Sequence, residues 1–141
     1  KWIYNKKTNT FMENKKKILI VDDDSFLLDM YSLKFSQSGF EVVTALGADI
    51  ALAKLNEGFV PDIMLLDIMM PGMDGFELLE KMKEDNLGQT TVRIILSNRG
   101  QQSDIARGES LGASGYIVKA SSTPSEVIAK VTEITNKKKE V

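Results

Sequence analysis

The stretch Lys15–Met30, KKKILIVDDDSFLLDM, sets the architecture of the chain. Four apolar residues, Ile18–Val21, end in three consecutive aspartates, and a helical pattern follows them. A short run that is continuously apolar predicts a strand buried on both faces. Adjacent carboxylates repel one another, so Asp22, Asp23 and Asp24 at the end of a buried strand require a physical explanation.

Composition places the chain among globular proteins and excludes several kinds of chemistry. Its 141 residues are most simply one domain, and 43% of them are hydrophobic and 27% charged. The net charge of −2 gives no global field that favours nucleic acid or a membrane surface. Cysteine and histidine are both missing, which excludes disulfides, thiolate catalysis and histidine chemistry and is consistent with the cytoplasmic location that we expect. No apolar run reaches the roughly 18 residues that span a bilayer.

The first residues do not belong to the pattern of the domain. Lysines interrupt residues 1–14, so this leader is not a signal peptide. Met12 can serve as an initiator, and we interpret the residues before it as a tag remnant, with a native arm as the alternative. The domain is expected over residues 15–137, followed by a charged tail over residues 138–141.

Five strands and five helices alternate after the leader. The apolar runs that predict strands are Ile18–Val21, Val42–Ala45, Ile63–Leu66, Ile94–Leu96 and Tyr116–Val118. Their continuous apolar character is typical of a parallel sheet covered on both faces. The alternation therefore predicts an α/β fold, an open parallel sheet with helices on both faces and right-handed crossovers.

Helical spacing and helix-ending residues lie between the predicted strands. Leu27, Tyr31 and Phe35 are spaced i, i+4, i+8, as on one face of a helix. The helix over Ser103–Leu111 is the least regular, because Gly108 lies inside it. Residues that predict helix ends are Gly39, Gly58 and Gly88, and Pro124 predicts the first turn of the last helix.

Charged and hydroxyl side chains follow four of the five strands. They are Asp22, Asp23 and Asp24 after the first, Asp67 after the third, Ser97 after the fourth and Lys119 after the fifth. Reactive groups in such sheets gather at the carboxyl ends of the strands. Taken singly, Asp24 or Ser25 has an ordinary explanation as a helix N-cap, and Ser97 or Lys119 as a solvated strand end.

The carboxylates together are harder to explain as structural features. Asp22, Asp23 and Asp67 would raise one another's pKa values unless a cation lay between them. Lys119 offsets one of these charges, and a hard divalent ion bound by carboxylate oxygens would offset the others. Mg²⁺ suits such a site, because it keeps several waters and accepts a phosphoryl oxygen.

From Lys17 to about Asn136 the chain resembles the receiver domain of bacterial two-component response regulators, the group that includes the chemotaxis regulators. The acidic pair, LLD…PGMDG, the hydroxyl and the lysine occur in the order of the family. Asp23, Asp67, Ser97 and Lys119 are separated in turn by 44, 30 and 22 residues, which is also similar to the family. The resemblance implies a flavodoxin-like, doubly wound fold with strand order 2-1-3-4-5.

The resemblance also implies a phosphoacceptor site that uses Mg²⁺. Asp67 matches the carboxylate that attacks phosphorus and becomes an aspartyl phosphate. Asp22 and Asp23 match the acidic pair that holds Mg²⁺, together with the Asp67 carboxylate and the backbone carbonyl of Met69. A phosphoacceptor of this kind is a signalling protein rather than an enzyme, although it can catalyse its own phosphotransfer and dephosphorylation.

The remaining family positions concern the switch and the partners. Lys119 matches the lysine that pairs with the acceptor and then with a phosphoryl oxygen. Ser97 matches the switch hydroxyl, and Tyr116 the aromatic residue expected to turn inward after phosphorylation. The implied partners are a sensor histidine kinase or phosphotransfer protein and a downstream protein bound by the fourth helix, fifth strand and fifth helix. No direct contact with nucleic acid or a membrane is expected.

Four positions depart from the usual family pattern. Asn98 follows the switch serine where a small residue is usual, and Arg99 and Met69 lie where side chains tune the lifetime of the phosphoryl group. Ala120 replaces the proline that usually follows the lysine. A cis bond before a residue other than proline costs about 2.5–4 kcal/mol, so we expect the Lys119–Ala120 bond to be trans.

Two other functions are consistent with parts of the sequence. A degenerate receiver would bind a partner without being phosphorylated. A phosphatase of the haloacid dehalogenase type would use Asp22 as its nucleophile, but Phe26 replaces the threonine or valine of that motif. A flavin-binding protein is excluded, because no Ser/Thr/Gly-rich phosphate loop follows the first strand. Whether the receiver acts alone or within a longer protein stays open.

Overall fold

The computed structural model describes residues 2–139, except for the side chains of Met12, Glu13 and Lys139. Its strands are β1 Trp2–Asn5, β2 Thr10–Glu13, β3 Lys17–Asp22, β4 Glu41–Leu46, β5 Ile63–Leu66, β6 Val92–Ser97 and β7 Gly115–Val118. Its helices are α1 Ser25–Gln37, α2 Ala48–Asn56, α3 Gly75–Glu84, α4 Gln102–Ser110 and α5 Pro124–Lys139, with a 3₁₀ turn over Lys119–Ser121. The predicted tail extends to residues 140 and 141, which lie outside the described residues.

The main sheet is parallel, with strand order β4-β3-β5-β6-β7. Counted from β3 as the first strand, this is the order 2-1-3-4-5, so the predicted fold is confirmed. Val21 is level with Leu66, and Leu66 with Ile95. The register therefore places the residues that follow β3, β5 and β6 at one edge of the sheet.

Two cores flank the sheet, because successive side chains of a strand point to opposite faces. In β5, Ile63 and Leu65 pack with residues of α1 and α5, whereas Met64 and Leu66 pack with residues of α2 and α3. Every residue of β5 is buried. Burial on both faces explains why the strands are continuously apolar in the sequence.

Helix boundaries follow local capping chemistry. Asp24 is the N-cap of α1, and its side chain accepts hydrogen bonds from two backbone N–H groups of the first turn. Gly39 and Gly58 follow α1 and α2 with positive φ angles, as predicted. The prediction for Gly88 was wrong, because α3 ends at Glu84. Asn86 takes the left-handed conformation after the helix, with φ of 55°, and Gly88 also has a positive φ, of 59°, further along the loop.

Gly108, which interrupts the helical pattern of α4 in the sequence, allows this helix to lie close to the sheet. Gly108 is buried, and a Cβ at this position would lie 2.5 Å from Ile95 Cδ1 of β6. A glycine here weakens the helix by about 1 kcal/mol relative to alanine. The close packing of α4 on β6 therefore explains why a glycine lies inside this helix.

The residues before the domain form an antiparallel hairpin of β1 and β2, an element that the sequence analysis did not predict. The rings of Tyr4 and Phe11 contact each other across it, with centroids 5.1 Å apart. Both side chains are exposed. Across residues 2–139, no helix has both the length and the apolar character needed to cross a bilayer.

The first prediction concerns Gly75, the first residue of α3. A Cβ there would overlap the carbonyl oxygen of Asp67 and lie 2.8 Å from Ile68 Cα. Because backbone would have to move, we expect Gly75→Ala to lower the free energy of unfolding by about 1–3 kcal/mol. Gly108→Ala is the matched control and should cost less, because its new methyl group meets only the flexible end of Ile95. Urea unfolding of both variants measures this, and equal losses would contradict the prediction.

Candidate functional site

The centre of the site is an ammonium group between two carboxylates. Lys119 Nζ lies 2.7 Å from Asp22 Oδ2 and 3.0 Å from Asp67 Oδ2. The exposed fractions of these three side chains are only 12%, 7% and 9%, so solvent screens the contacts weakly. The structure therefore brings together three residues that the sequence placed after three different strands.

Asp23 completes an acidic cluster with Asp22 and Asp67. One carboxylate oxygen from each residue lies within 4.8 Å of the others. Asp23 is exposed, whereas the other two are buried. Carboxylate oxygens that converge in this way are the donors that Mg²⁺ or Ca²⁺ takes in proteins, so the residues present fit a hard divalent cation.

Asp24 has a different role from its two neighbours. Its Oδ1 accepts hydrogen bonds from the N–H groups of Phe26 and Leu27, at 3.0 and 3.3 Å, and so caps α1. Its own N–H donates to Asp22 Oδ1 at 3.0 Å. The three consecutive aspartates are thus divided between capping the helix and forming the acidic cluster.

The electrostatics of Lys119 follow from its contacts. Burial by itself would lower its pKa, but the hydrogen bond with Asp22 and the charge of Asp67 outweigh burial and raise the pKa above the ordinary value of 10.5. The charged form is therefore stabilised in the folded protein. The Lys119–Ala120 bond is trans, as expected, like the other peptide bonds of residues 2–139.

Backbone contacts hold Asp67 in place. Its N–H donates to the carbonyl of Val21 at 3.0 Å, and its Oδ1 accepts the N–H of Met69 at 3.3 Å. Gly75 brings the start of α3 against its carbonyl group. The side chain of Met69 is 57% exposed and lies at the mouth of the site. The expected metal contact of the Met69 carbonyl stays a prediction.

An open cleft of about 380 Å³ lies beside Asp67. It is lined by Ile68, Met69, Met70, Pro71, Asp74 and Arg99. Two of the residues predicted to tune the phosphoryl lifetime, Met69 and Arg99, therefore line the same cleft. The third, Asn98, is exposed.

Ser97 and Tyr116 meet at the loop between β6 and α4. Ser97 is fully buried, and its Oγ accepts the N–H of Arg99 at 3.3 Å. The hydroxyl of Tyr116 donates to the carbonyl oxygen of Arg99. Tyr116 thus already contacts this loop, whereas the sequence analysis expected it to turn inward only after phosphorylation. Burial, followed by the charge of Asp104, raises the pKa of Tyr116.

Asp104 was missed by the sequence analysis. It is buried in the first turn of α4, and its Oδ1 lies 2.7 Å from Nη2 of Arg99. The two residues are five apart, with one in a loop and the other in a helix, so no helical spacing rule pairs them. An acidic residue near the start of a polar predicted helix was the only signal in the sequence, which does not show that the residue is buried.

A prediction follows for Lys119. Lys119→Met leaves two buried carboxylates without their cation, so we expect the free energy of unfolding at pH 7 to fall by about 3 kcal/mol. The exposed Lys81, which has only surface ion pairs, is the matched control, and Lys81→Met should change stability by less than about 1 kcal/mol.

The pH dependence of the same variant gives a second measurement. The folded pKa of Lys119 is raised, so its contribution is complete below pH 10.5 and is lost as the pH rises through the folded value. As the pH is raised above 7, the difference between wild type and Lys119→Met should therefore shrink in that alkaline range. A difference that shrinks between pH 6 and 9 instead would contradict the assignment.

Comparisons with known proteins agree with this geometry. The family described as response regulator receiver domain matches residues 18–132. The phosphate regulon transcriptional regulatory protein PhoB of Escherichia coli is 34% identical over 119 residues, which cover 84% of this chain and 51% of PhoB. The alkaline phosphatase synthesis transcriptional regulatory protein PhoP of Bacillus subtilis is also 34% identical, over 84% of this chain and 48% of PhoP. The chain thus spans about half the length of these curated relatives.

Solved structures give the same result. A CheY-like receiver domain protein from Methanospirillum hungatei superposes with a TM-score of 0.80 at 31% identity, covering 90% of this chain and 98% of the other. The chemotaxis protein CheY4 of Vibrio cholerae gives a TM-score of 0.77 at 28% identity, over 85% and 98% of the two chains. The chain belongs to the receiver domain family of two-component response regulators.

Proposed function

We propose that this receiver domain is phosphorylated on Asp67 in a reaction that requires Mg²⁺, and that the aspartyl phosphate changes a surface that binds another protein. The observation that carries the proposal is the convergence of Asp67 with Lys119 and the acidic pair Asp22 and Asp23 at one edge of the sheet. Phosphoryl transfer depends mainly on positioning and charge neutralisation, and this set of residues can provide both.

Asp67 is the proposed nucleophile. A carboxylate oxygen of Asp67 attacks phosphorus, the bond from phosphorus to the donor breaks, and the donor leaves with the bonding electron pair. Lys119 already contacts Asp67 Oδ2 and can neutralise charge on a phosphoryl oxygen there. Asp22 and Asp23 would hold Mg²⁺ with help from Asp67 and the Met69 carbonyl, and the ion would neutralise further charge on the phosphoryl group.

Asp22 is a poor candidate for the nucleophile. Its Oδ1 accepts the N–H of Asp24, and its Oδ2 lies 2.7 Å from Lys119 Nζ. Both oxygens of Asp67 are engaged in the same way, so these contacts do not choose between the two carboxylates. Phe26, in the place of the threonine or valine of the phosphatase motif, counts against the phosphatase alternative. A degenerate receiver is less consistent with the site, because the acceptor, the acidic pair and the lysine lie together.

Ser97 and Tyr116 are the proposed switch residues. The Ser97 hydroxyl can donate to a phosphoryl oxygen on Asp67, because its oxygen already accepts the N–H of Arg99 and its hydrogen is available. A shift of the loop would then alter the contact of Tyr116 with Arg99. Such a local change can bias a larger element with two arrangements.

The proposed partners follow from the family and from the position of the switch. Receiver domains interact with histidine kinases, so a kinase or phosphotransfer protein is the proposed donor. The downstream target would bind the face formed by α4, β7 and α5, which borders Tyr116. Met69, Asn98 and Arg99 are the residues proposed to tune the lifetime of the phosphoryl group.

The nucleophile is tested by intact-mass measurement after incubation with Mg²⁺ and a small acyl phosphate. The wild type should gain the mass of one phosphoryl group, and Asp67→Asn should not, because the amide is a weak nucleophile. Asp74→Asn is the matched control. It removes a nearby carboxylate but keeps an N-cap for α3, so it should be labelled like wild type. Equal labelling of Asp67→Asn would identify a different acceptor.

The metal site is tested by thermal unfolding with increasing Mg²⁺. Binding to the folded state should raise the melting temperature, because a ligand at 100 times its Kd adds about 2.7 kcal/mol of stability. Asp23→Asn removes an exposed member of the cluster and should shift the Mg²⁺ dependence to higher concentration. Asp24→Asn keeps the α1 cap and should leave the dependence unchanged. Equal shifts in both variants would place the ion elsewhere.

A further inference from the structure

Asp104 is a buried carboxylate that the proposed chemistry does not use. Among the described residues the buried acidic side chains are Asp22, Asp67 and Asp104. The first two contact Lys119, whereas Asp104 contacts the guanidinium of Arg99 at 2.7 Å. A buried carboxylate destabilises the folded state unless it is paired, so the position of Asp104 depends on Arg99.

Arg99 joins Asp104 to both proposed switch residues. Its guanidinium contacts the Asp104 carboxylate, and its backbone N–H donates to Ser97 Oγ at 3.3 Å. Its carbonyl oxygen accepts the hydroxyl of Tyr116. One residue therefore fixes the start of α4, the serine at the end of β6 and the tyrosine of β7 relative to one another.

The contact with Arg99 determines which way the Ser97 hydroxyl can act. A serine oxygen that accepts an N–H keeps its own hydrogen for a second acceptor. Ser97 is fully buried at the end of β6, which pairs with β5, the strand that Asp67 follows. Holding the Arg99 backbone in place therefore keeps Ser97 Oγ as an acceptor, and its hydrogen can turn from the adjacent Tyr116 hydroxyl to an oxygen on Asp67.

Apolar packing contributes little to the position of α4. Among its nine described residues only Asp104 and Gly108 are buried. The helix is also held by Arg107, whose guanidinium lies 4.4 Å from the centroid of the Phe76 ring and 3.2 Å from the Glu80 carboxylate. Because Arg107 acts near the end of the helix, the ion pair of Asp104 is the polar contact that holds its start.

We propose that Asp104 is a positioning residue for the phosphoryl switch. By holding Arg99 it keeps the loop between β6 and α4 in the arrangement in which Ser97 can donate to a phosphoryl group on Asp67. This inference rests on the proposed function, because it assigns Asp104 a role in the same reaction. Asp104 acts through Arg99 and contacts neither the phosphoryl group nor the metal.

The test compares initial rates of phosphorylation by a small acyl phosphate, read by intact mass. Asp104→Asn keeps the size of the side chain but loses its charge, so we expect a roughly two- to fivefold slower rate, in the range for a partly exposed ion pair. The Mg²⁺ concentration for half-maximal rate should not change. Glu109→Gln is the matched control, because it removes an exposed carboxylate from the same helix and should react like wild type.

A Ser97→Ala background separates positioning from a general loss of structure. If Asp104 acts through Ser97, adding Asp104→Asn to Ser97→Ala should slow the reaction no further, because coupled residues are not additive. The double variant Asp104→Asn/Arg99→Gln should be as slow as Asp104→Asn alone. It also removes the guanidinium that Asp104→Asn leaves without its partner, so it provides a test if the single variant does not fold.

Each outcome identifies the statement that fails. If the wild type is not labelled at all, the proposed function is wrong. If the wild type is labelled and both Asp104 variants react at the wild-type rate, the proposed function stands and this inference is overturned. If Asp104→Asn slows Ser97→Ala as much as it slows wild type, Asp104 does not act through Ser97.

Discussion

The contact of the Lys119 ammonium with Asp22 and Asp67 is the interaction on which the site depends. Lys119 follows the edge strand β7, and its side chain reaches across β6 to carboxylates that follow β5 and β3. Without this cation, two buried carboxylates would face each other with the exposed Asp23 beside them. The ion pair thus spans the sheet edge from β7 to β3, and β6, which ends in Ser97, lies between these strands.

Arg99 forms a second set of polar contacts, between the end of β6 and the exposed helix α4. Arg99 contacts Asp104 through its side chain and Ser97 and Tyr116 through its backbone. The β-strands and α1, α2, α3 and α5 are held by two apolar cores, whereas α4 is held largely by polar contacts. Few apolar contacts would have to be broken to move α4, so under the proposed function a change at Asp67 would move α4 before it moves the rest of the domain.

The similarity to PhoB, PhoP and the CheY-like structures extends over the whole domain. Some residues around the acceptor nevertheless depart from the usual family pattern. Met69 and Arg99 both line the cleft beside Asp67, and a trans Lys119–Ala120 bond follows the strand that delivers the lysine. The ammonium still reaches both carboxylates. A shared fold does not determine reaction rates. Differences in rate between receiver domains would arise from residues near the acceptor, such as Met69 and Arg99.

The sequence by itself determined the order and position of the strands of the main sheet and limited the N-cap of α1 to Asp24 or Ser25, because apolar runs and N-caps depend on neighbouring residues. The strand ends pointed to the aspartates, Ser97 and Lys119, and the resemblance to a family implied their roles. The prediction that α3 ends at Gly88 failed, because the helix ends at Glu84 and Asn86, before Gly88, already takes the left-handed conformation. Only the tertiary structure decided that Gly108 packs on Ile95 and that Asp104 pairs with Arg99. Both contacts depend on how closely α4 packs on the sheet. The spacing of residues along a single segment of sequence does not determine that distance.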